Sequence, residues 1–239
     1  ANAKTVYVHH LNYYPTTDVA TVRSEWIPIT AATPVDPATE AVVKSWEARV
    51  EALIEDMGYD VHIELMTATE PLLATEHLIR SEQTNYGRLT NEAFRWAWPD
   101  ADVYLFNSGS LRVDDDLSGT LTAYDVLRSF PYGGPLVRMT LPGDVLQQLL
   151  DIGDTDNKGE GGYLQRLQAD GQASNWTING QALDPAAAYV VVLPEFLAQG
   201  REARLEFLGE YTYLKEDRLR QGSLRNDIRD IVIAYMQTL

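Results

Sequence analysis

Val103-Tyr104-Leu105-Phe106 runs directly into Asn107-Ser108-Gly109-Ser110-Leu111-Arg112. The apolar run is short and reads as a strand, and the glycine- and serine-rich turn after it is of the kind in which a strand end presents ligand-binding groups. Strands and helices alternate on both sides of it. Upstream, Val61 to Met66 reads as a strand, and Thr84 or Asn85 opens a helix that carries Leu89, Ala93, Phe94 and Ala97 inward until Pro99 ends it. Downstream, Thr122 with Asp125 three residues on starts a helix to about Ser129, broken by Pro131 and Gly133-Gly134. Leu136 to Leu141 is a strand, Gly143 to Ile152 a helix, and Gly153 to Gly162 a polar loop. A β-rich section then reaches Val190 to Leu193, Pro194 to Ala198 is a short turn or helix, and a final amphipathic helix shows Leu224, Ile228, Ile231 and Tyr235 on the face expected to dock on the sheet.

The first part of the chain has a different texture. Thr5 to Tyr14 and Glu25 to Thr30 are β-prone, joined by a polar stretch with Pro15 and Asp18. Ala31 to Pro37 reads as a linker whose Asp36 caps a helix with Pro37 at its first position and Gly58 as its stop. In that helix Val43, Trp46, Val50, Leu53 and Met57 fall three and four apart, a stripe expected to serve packing.

Composition narrows the function classes. The 239 residues are 45% hydrophobic and 23% charged, an ordinary globular balance, with 19 basic against 35 acidic side chains and a net charge of −16. Such a charge repels nucleic acid phosphates and anionic membrane surfaces. With no cysteine, disulfides, zinc knuckles, iron–sulfur clusters and thiol nucleophiles are all excluded. No run of about eighteen apolar residues appears, and Ala1 to Tyr7 lacks the basic-then-apolar order of a signal peptide, so the expectation is a cytosolic or already trimmed chain, with trimming preferred.

Motifs with strong chemistry are scarce. Asp114-Asp115-Asp116 and the acids from Asp154 to Glu160 have neither the spacing nor the terminal glutamate of a calcium loop and read as solvated acidic turns. His9 and His10, adjacent on a strand, point to opposite faces, and His62 and His77 have no evident partner, so no metal ligand set is assigned. There is no nucleophile elbow, phosphate loop or dinucleotide fingerprint. Asn175-Trp176-Thr177 fits a glycosylation triplet that is common by chance.

What remains is a constellation of Arg80, Asn107, Arg112 and two aromatics, Tyr132 and Phe196, the aromatics in turns with glycine or proline at the end of an element. Their surroundings resemble the C-terminal, substrate-binding domain of the 5′-nucleotidase family, which includes UDP-sugar hydrolases and 2′,3′-cyclic-nucleotide phosphodiesterases. Arg80 followed by Thr84-Asn85-Tyr86-Gly87-Arg88-Leu89 is similar to the family's arginine and T-N-x-G-x-L, and Asn107 to Arg112 to its N-G-G-G-I-R turn. Gly119 to Thr122 resembles G-x-I-T, Phe130-Pro131-Tyr132-Gly133-Gly134 resembles L-P-F-G-N/G, and Leu141-Pro142-Gly143 resembles L-T-G. Ile178-Asn179-Gly180, Asp184-Pro185, Tyr189 and Leu193 to Ala198 complete the likeness, from about Glu76 to Leu208.

The resemblance implies an α+β domain of layered helix–sheet–sheet–helix (α-β-β-α) type over residues 59–239, a connector helix over 36–58, and a remnant of the preceding metallophosphatase domain over 1–35. It implies that Arg80 and Arg112 hold phosphate, a task suited to the guanidinium fork, and that Tyr132 and Phe196 sandwich the nucleobase. Asn107 would reach the base edge or ribose. Glu202 stands where the family keeps an aspartate for the ribose hydroxyls. Two divalent metal ions and the catalytic groups would belong to the N-terminal domain, whose D-x-H and G-N-H segments have no counterpart here, so no catalytic residue is assigned and this chain is not expected to hydrolyse alone. Domain rotation about the connector and a periplasmic or extracellular location follow from the same resemblance, with a nucleotide or nucleoside and the N-terminal domain as partners. The chain departs from the family at Gly200-Arg201-Glu202 in place of G-G-D, at Ser110 for a glycine and at Tyr132 for a phenylalanine. Arg201 and Glu202 are also what favours the competing reading, a degenerate non-catalytic binding or interaction module of the same fold; a purely structural oligomerisation domain would instead expose an apolar patch.

Overall fold

The computed structural model describes residues 3–239. It falls into two compact units, Ala1–Gly58 and Tyr59–Leu239.

In the first unit β1 (Thr5–Tyr14) and β2 (Val19–Pro28) form an antiparallel hairpin in register from Thr5 opposite Pro28 to Tyr14 opposite Val19. The second strand thus starts well before the expected Glu25, because Val19 to Ser24 all find partners across the hairpin. His9 and His10 are spent on Ser24 (2.8 Å) and Glu25 (3.4 Å). Helix α1 (Pro37–Asp56) begins as its sequence requires, with Asp36 accepting from the Thr39 amide and hydroxyl, each at 2.8 Å. Its apolar stripe departs from expectation: Val43, Trp46, Val50, Leu53 and Met57 are exposed, and no residue of α1 is buried. Helical periodicity marks a face that needs a cover, not that the cover lies in the same chain.

The second unit runs β3 (Glu64–Leu72), α2 (Glu76–Ile79), α3 (Asn85–Ala97), β4 (Val103–Asn107), β5 (Leu117–Thr122), α4 (Ala123–Ser129), β6 (Leu136–Pro142) and α5 (Gly143–Asp151). It continues with β7 (Leu164–Leu167), β8 (Ala169–Gln172), β9 (Asn175–Ile178), β10 (Gln181–Ala182), β11 (Ala188–Pro194), α6 (Glu195–Ala198), β12 (Tyr213–Leu214), β13 (Arg218–Leu219), β14 (Leu224–Arg225) and α7 (Ile228–Met236). The central sheet has the order β12-β6-β11-β4-β7, with β4 and β11 parallel and the other neighbours antiparallel.

Strand alternation divides the core in two. Tyr104, Phe106, Leu136 and Val192 face a layer made by α3, α4, α7 and the β3–β5 pair, where Phe94, Val126, Ile231 and Leu121 are buried. Val103, Leu105, Val137, Met139, Val191 and Leu193 face the other way, against Leu146 and Leu149 of α5, Leu197 of α6 and Trp176 of β9. A strand covered on both faces must be apolar at every position, which is why Val103 to Phe106 shows no polar alternation. On the first face Phe106 packs edge-on against Phe94 and Phe130, with ring centroids 5.9 and 6.1 Å apart. The α+β class read from the sequence is the class observed.

Several boundaries differ. β3 begins at Glu64, beyond Val61. β5 has only Leu117 and Leu121 buried, so the usual period of two is missing. Leu224 belongs to β14, because Asp227 caps α7 by accepting from the Arg229 amide at 2.9 Å. The acidic turns are anchors as well as solvated acids: Asp114 and Asp116 accept from the Glu76 and Ala74 amides at 2.9 and 3.0 Å, and Asp154 pairs with Arg166 at 2.9 Å.

Candidate ligand-binding site

Sheet register assembles the site. β11 lies between β4, with Val192 beside Tyr104 in parallel, and β6, with Pro194 opposite Leu136 in antiparallel. The carboxyl ends of β4 and β11 and the amino end of β6 therefore reach one edge of the sheet. Whatever leaves β4, leaves β11 or enters β6 must gather there: the Asn107 turn, α6 with the turn after it, and the Tyr132 turn.

The Tyr132 turn is held from below by the start of α7. Gly133 adopts φ +56, and a Cβ there would lie 2.5 Å from the Arg229 guanidinium carbon. The Gly134 amide donates to Asp227 (3.2 Å) and its carbonyl accepts from the Ile228 amide (2.9 Å), while the Asn226 side chain exchanges two 2.8 Å hydrogen bonds with the Leu136 backbone. Burial on its own would raise the Asp227 carboxyl; hydrogen bonds from the Arg229 guanidinium and from the Arg229 and Gly134 amides outweigh it and hold the group below its ordinary value. Phe196 stands on α6, which the Glu195 amide fastens to the Pro135 carbonyl at 2.9 Å. After α6, Gly200 takes φ +65 with no room for a side chain, since a Cβ would come within 2.5 Å of the Glu206 carbonyl oxygen.

Between these turns lies a cavity of about 540 Å³. Tyr132 and Phe196 both line it, 75% and 42% exposed, so neither ring is committed to the core. Among the described residues the two rings make no contact with each other. The polar end is a hydrogen-bonded chain: Ser110 Oγ donates to Asn107 Oδ1 (2.7 Å), and Asn107 Nδ2 donates to Glu202 Oε2 (2.8 Å). The other Glu202 oxygen accepts from the Ala203 amide at 3.2 Å. A flat ring can therefore enter at one end and hydroxyl donors can meet a carboxylate at the other.

Of the residues singled out from the sequence, the structure brings Asn107, Tyr132, Phe196 and Glu202 to this cavity, and Arg80 and Arg112 are not in its lining. Arg80 pairs with Glu76 at 2.6 Å and buries its Nε without a partner. Arg112 is exposed, its amide donating to the Ser129 carbonyl at 2.8 Å. The lining also includes residues that the sequence did not single out as binding groups, among them Ile228, whose place follows from the Asp227 cap, and Arg201, whose signal is its break with the expected glycine.

Residues 65–209, more than half of the chain, match the profile of the 5′-nucleotidase C-terminal domain. The chain belongs to the 5′-nucleotidase family. It is 31% identical over 166 residues to a 5′-nucleotidase of Vibrio cholerae, a match covering 66% of this chain and 30% of that protein. It is 33% identical over 127 residues to Protein UshA of Yersinia enterocolitica, covering 51% of this chain and 23% of the relative. This 5′-nucleotidase domain chain thus spans less than a third of these relatives. Among solved structures, a 5′-nucleotidase precursor from Thermus thermophilus superposes with a TM-score of 0.77 at 19% identity, over 98% of this chain and 47% of that one. NAD nucleotidase of Haemophilus influenzae gives 0.58 at 13% identity, over 100% and 51%. At these identities the structural matches speak for the fold.

Proposed function

We propose that this domain binds a nucleotide through its base and sugar and presents the phosphate ester to an N-terminal metallophosphatase domain of the same protein. Tyr132 and Phe196 take the two faces of the base, and the Asn107–Glu202 pair receives the sugar hydroxyls or base edge. Arg80 and Arg112 are kept as phosphate-side cations on the family resemblance. The observation that carries the reading is the pair of uncommitted rings on separate turns of one cavity beside a pre-ordered amide–carboxylate pair.

In the whole protein the reaction is hydrolysis of a phosphomonoester or cyclic phosphodiester, with α1 and the hairpin before it as connector and as part of the partner domain, and export as its setting. Two divalent ions held in that domain would supply activation of the attacking water. Among the described residues of this chain no three histidine, aspartate or glutamate side chains converge. The chain's own share is to bind, to orient and to hold the sugar against rotation. No helix among the described residues is long and apolar enough to cross a membrane.

Calorimetry with adenosine and AMP tests the proposal. Each of Tyr132→Ala and Phe196→Ala is expected to weaken binding by about 1–3 kcal/mol, the worth of one stacking face, with the thermal midpoint unchanged because both rings are exposed. Absence of binding at millimolar ligand, or indifference to both substitutions, would overturn it and leave a non-catalytic interaction module.

A further inference from the structure

The arginine that interrupts the expected glycine turn has no side-chain partner among the described residues. The side chain of Arg201 lines the cavity beside Glu202, Phe196 and Tyr132, and among the described residues it makes no ion pair or hydrogen bond. Arg95, Arg128, Arg166, Arg225 and Arg229, by contrast, each hold a carboxylate. Other arginines, Arg88 and Arg218 among them, also hold no carboxylate among the described residues; what sets the exposed Arg201 apart is that it is the basic residue in the cavity lining. Its placement is also not free. Gly200, with φ +65 and its α-carbon against the Glu206 carbonyl, fixes the turn, and the Arg201 amide donates to the Phe196 carbonyl at 3.3 Å.

Glu202, next in the chain, does not neutralise it. One carboxylate oxygen is held by Asn107 and the other by the Ala203 amide, and no ion pair joins it to Arg201. The cavity's polar end therefore offers an acceptor and an unpaired cation on adjacent residues. In a 5′-nucleotide the sugar's hydrogen-bond donors are its 2′ and 3′ hydroxyls, so the edge facing Glu202 is that edge, and the 5′ carbon leads away from it. A cation beside Glu202 then meets whatever the 2′,3′ edge carries.

We infer that Arg201 is a specificity-determining residue that selects a 5′-nucleotide bearing a second phosphate on its 2′ or 3′ oxygen, the remaining hydroxyl donating to Glu202. This rests on the nucleotide reading of the cavity and deepens it. A guanidinium fork matches two non-bridging phosphate oxygens, and a charge-assisted pair in a partly enclosed site is worth about tenfold or more in affinity.

Calorimetry on the 239-residue chain with AMP and with adenosine 3′,5′-bisphosphate and adenosine 2′,5′-bisphosphate reads the selectivity as a ratio of affinities. At least one bisphosphate is expected to bind about tenfold or more tightly than AMP, a margin that shrinks with added salt. In Arg201→Gly and Arg201→Gln the ratio is expected to fall to near one, with the melting curve checked for both. AMP and both bisphosphates binding equally to the unaltered chain, or a preference that survives both substitutions, overturns the role of Arg201 and leaves the nucleotide site standing. Failure of all three nucleotides to bind overturns the site and this inference together.

Discussion

Gly200 shows how one backbone position governs two side chains. Its left-handed φ and the 2.5 Å approach of a hypothetical Cβ to the Glu206 carbonyl mean that any substitution must move main chain. Gly200→Ala is therefore expected to destabilise the fold by about 1–3 kcal/mol in denaturant melts, and to lower nucleotide affinity as well, because Arg201 and Glu202 leave the cavity with the turn. Unchanged affinity in a well-folded variant would show that the turn does not set the site. Asn107 is the complementary case: a buried amide whose two ends are both satisfied, by Ser110 and Glu202, so that its position is settled before any ligand arrives. Sequence alone could name Asn107 and Glu202 separately through resemblance. That they bond to each other from 95 residues apart could be seen only once β4 and β11 lie side by side.

Helix α7 is a distant brace for the aromatic turn. Its cap, Asp227, holds Gly134, and the next residue, Ile228, reaches the cavity wall. Because the folded protein keeps the Asp227 carboxyl below its ordinary value of 3.8, its contribution to stability is complete above that pH. The contribution disappears as the pH falls through the lowered folded value. Asp227→Asn is thus expected to melt a few degrees lower than the parent at neutral pH, with the gap between them narrowing as the pH drops below about 3.8. A gap independent of pH would assign the loss to packing instead of charge. Local chemistry made most elements readable: Thr84, Thr122 with Asp125, and Asp36 all cap the helices their spacing announces. It failed for β5 and β12, whose pairing depends on distant partners instead of an internal pattern, and for β13 and β14, which pair with each other over only two residues each.

The two units stand on different physical footing. Residues 59–239 enclose both apolar clusters, whereas the hairpin and α1 leave Trp26, Trp46, Leu11 and Leu53 exposed. A fragment of residues 59–239 is expected to unfold cooperatively with a midpoint within a few degrees of the full chain's main transition. The 239-residue chain should also bind a hydrophobic dye more strongly than the fragment does. A fragment that fails to fold would show that the first unit supplies part of the core.

Most strands and helices and their caps could be read along the chain, because each depends on residues within a turn or two of one another, while the acidic balance and the lack of thiols need only a count. So could the family, because its motifs are local strings. The meeting of the Asn107, Tyr132 and Phe196 turns, the placing of Arg80 and Arg112 outside the cavity lining, and the unpaired Arg201 within it depend on which strands become neighbours and in what register. Strand pairing joins residues far apart in sequence through backbone hydrogen bonds common to all residue types, so no local pattern encodes it.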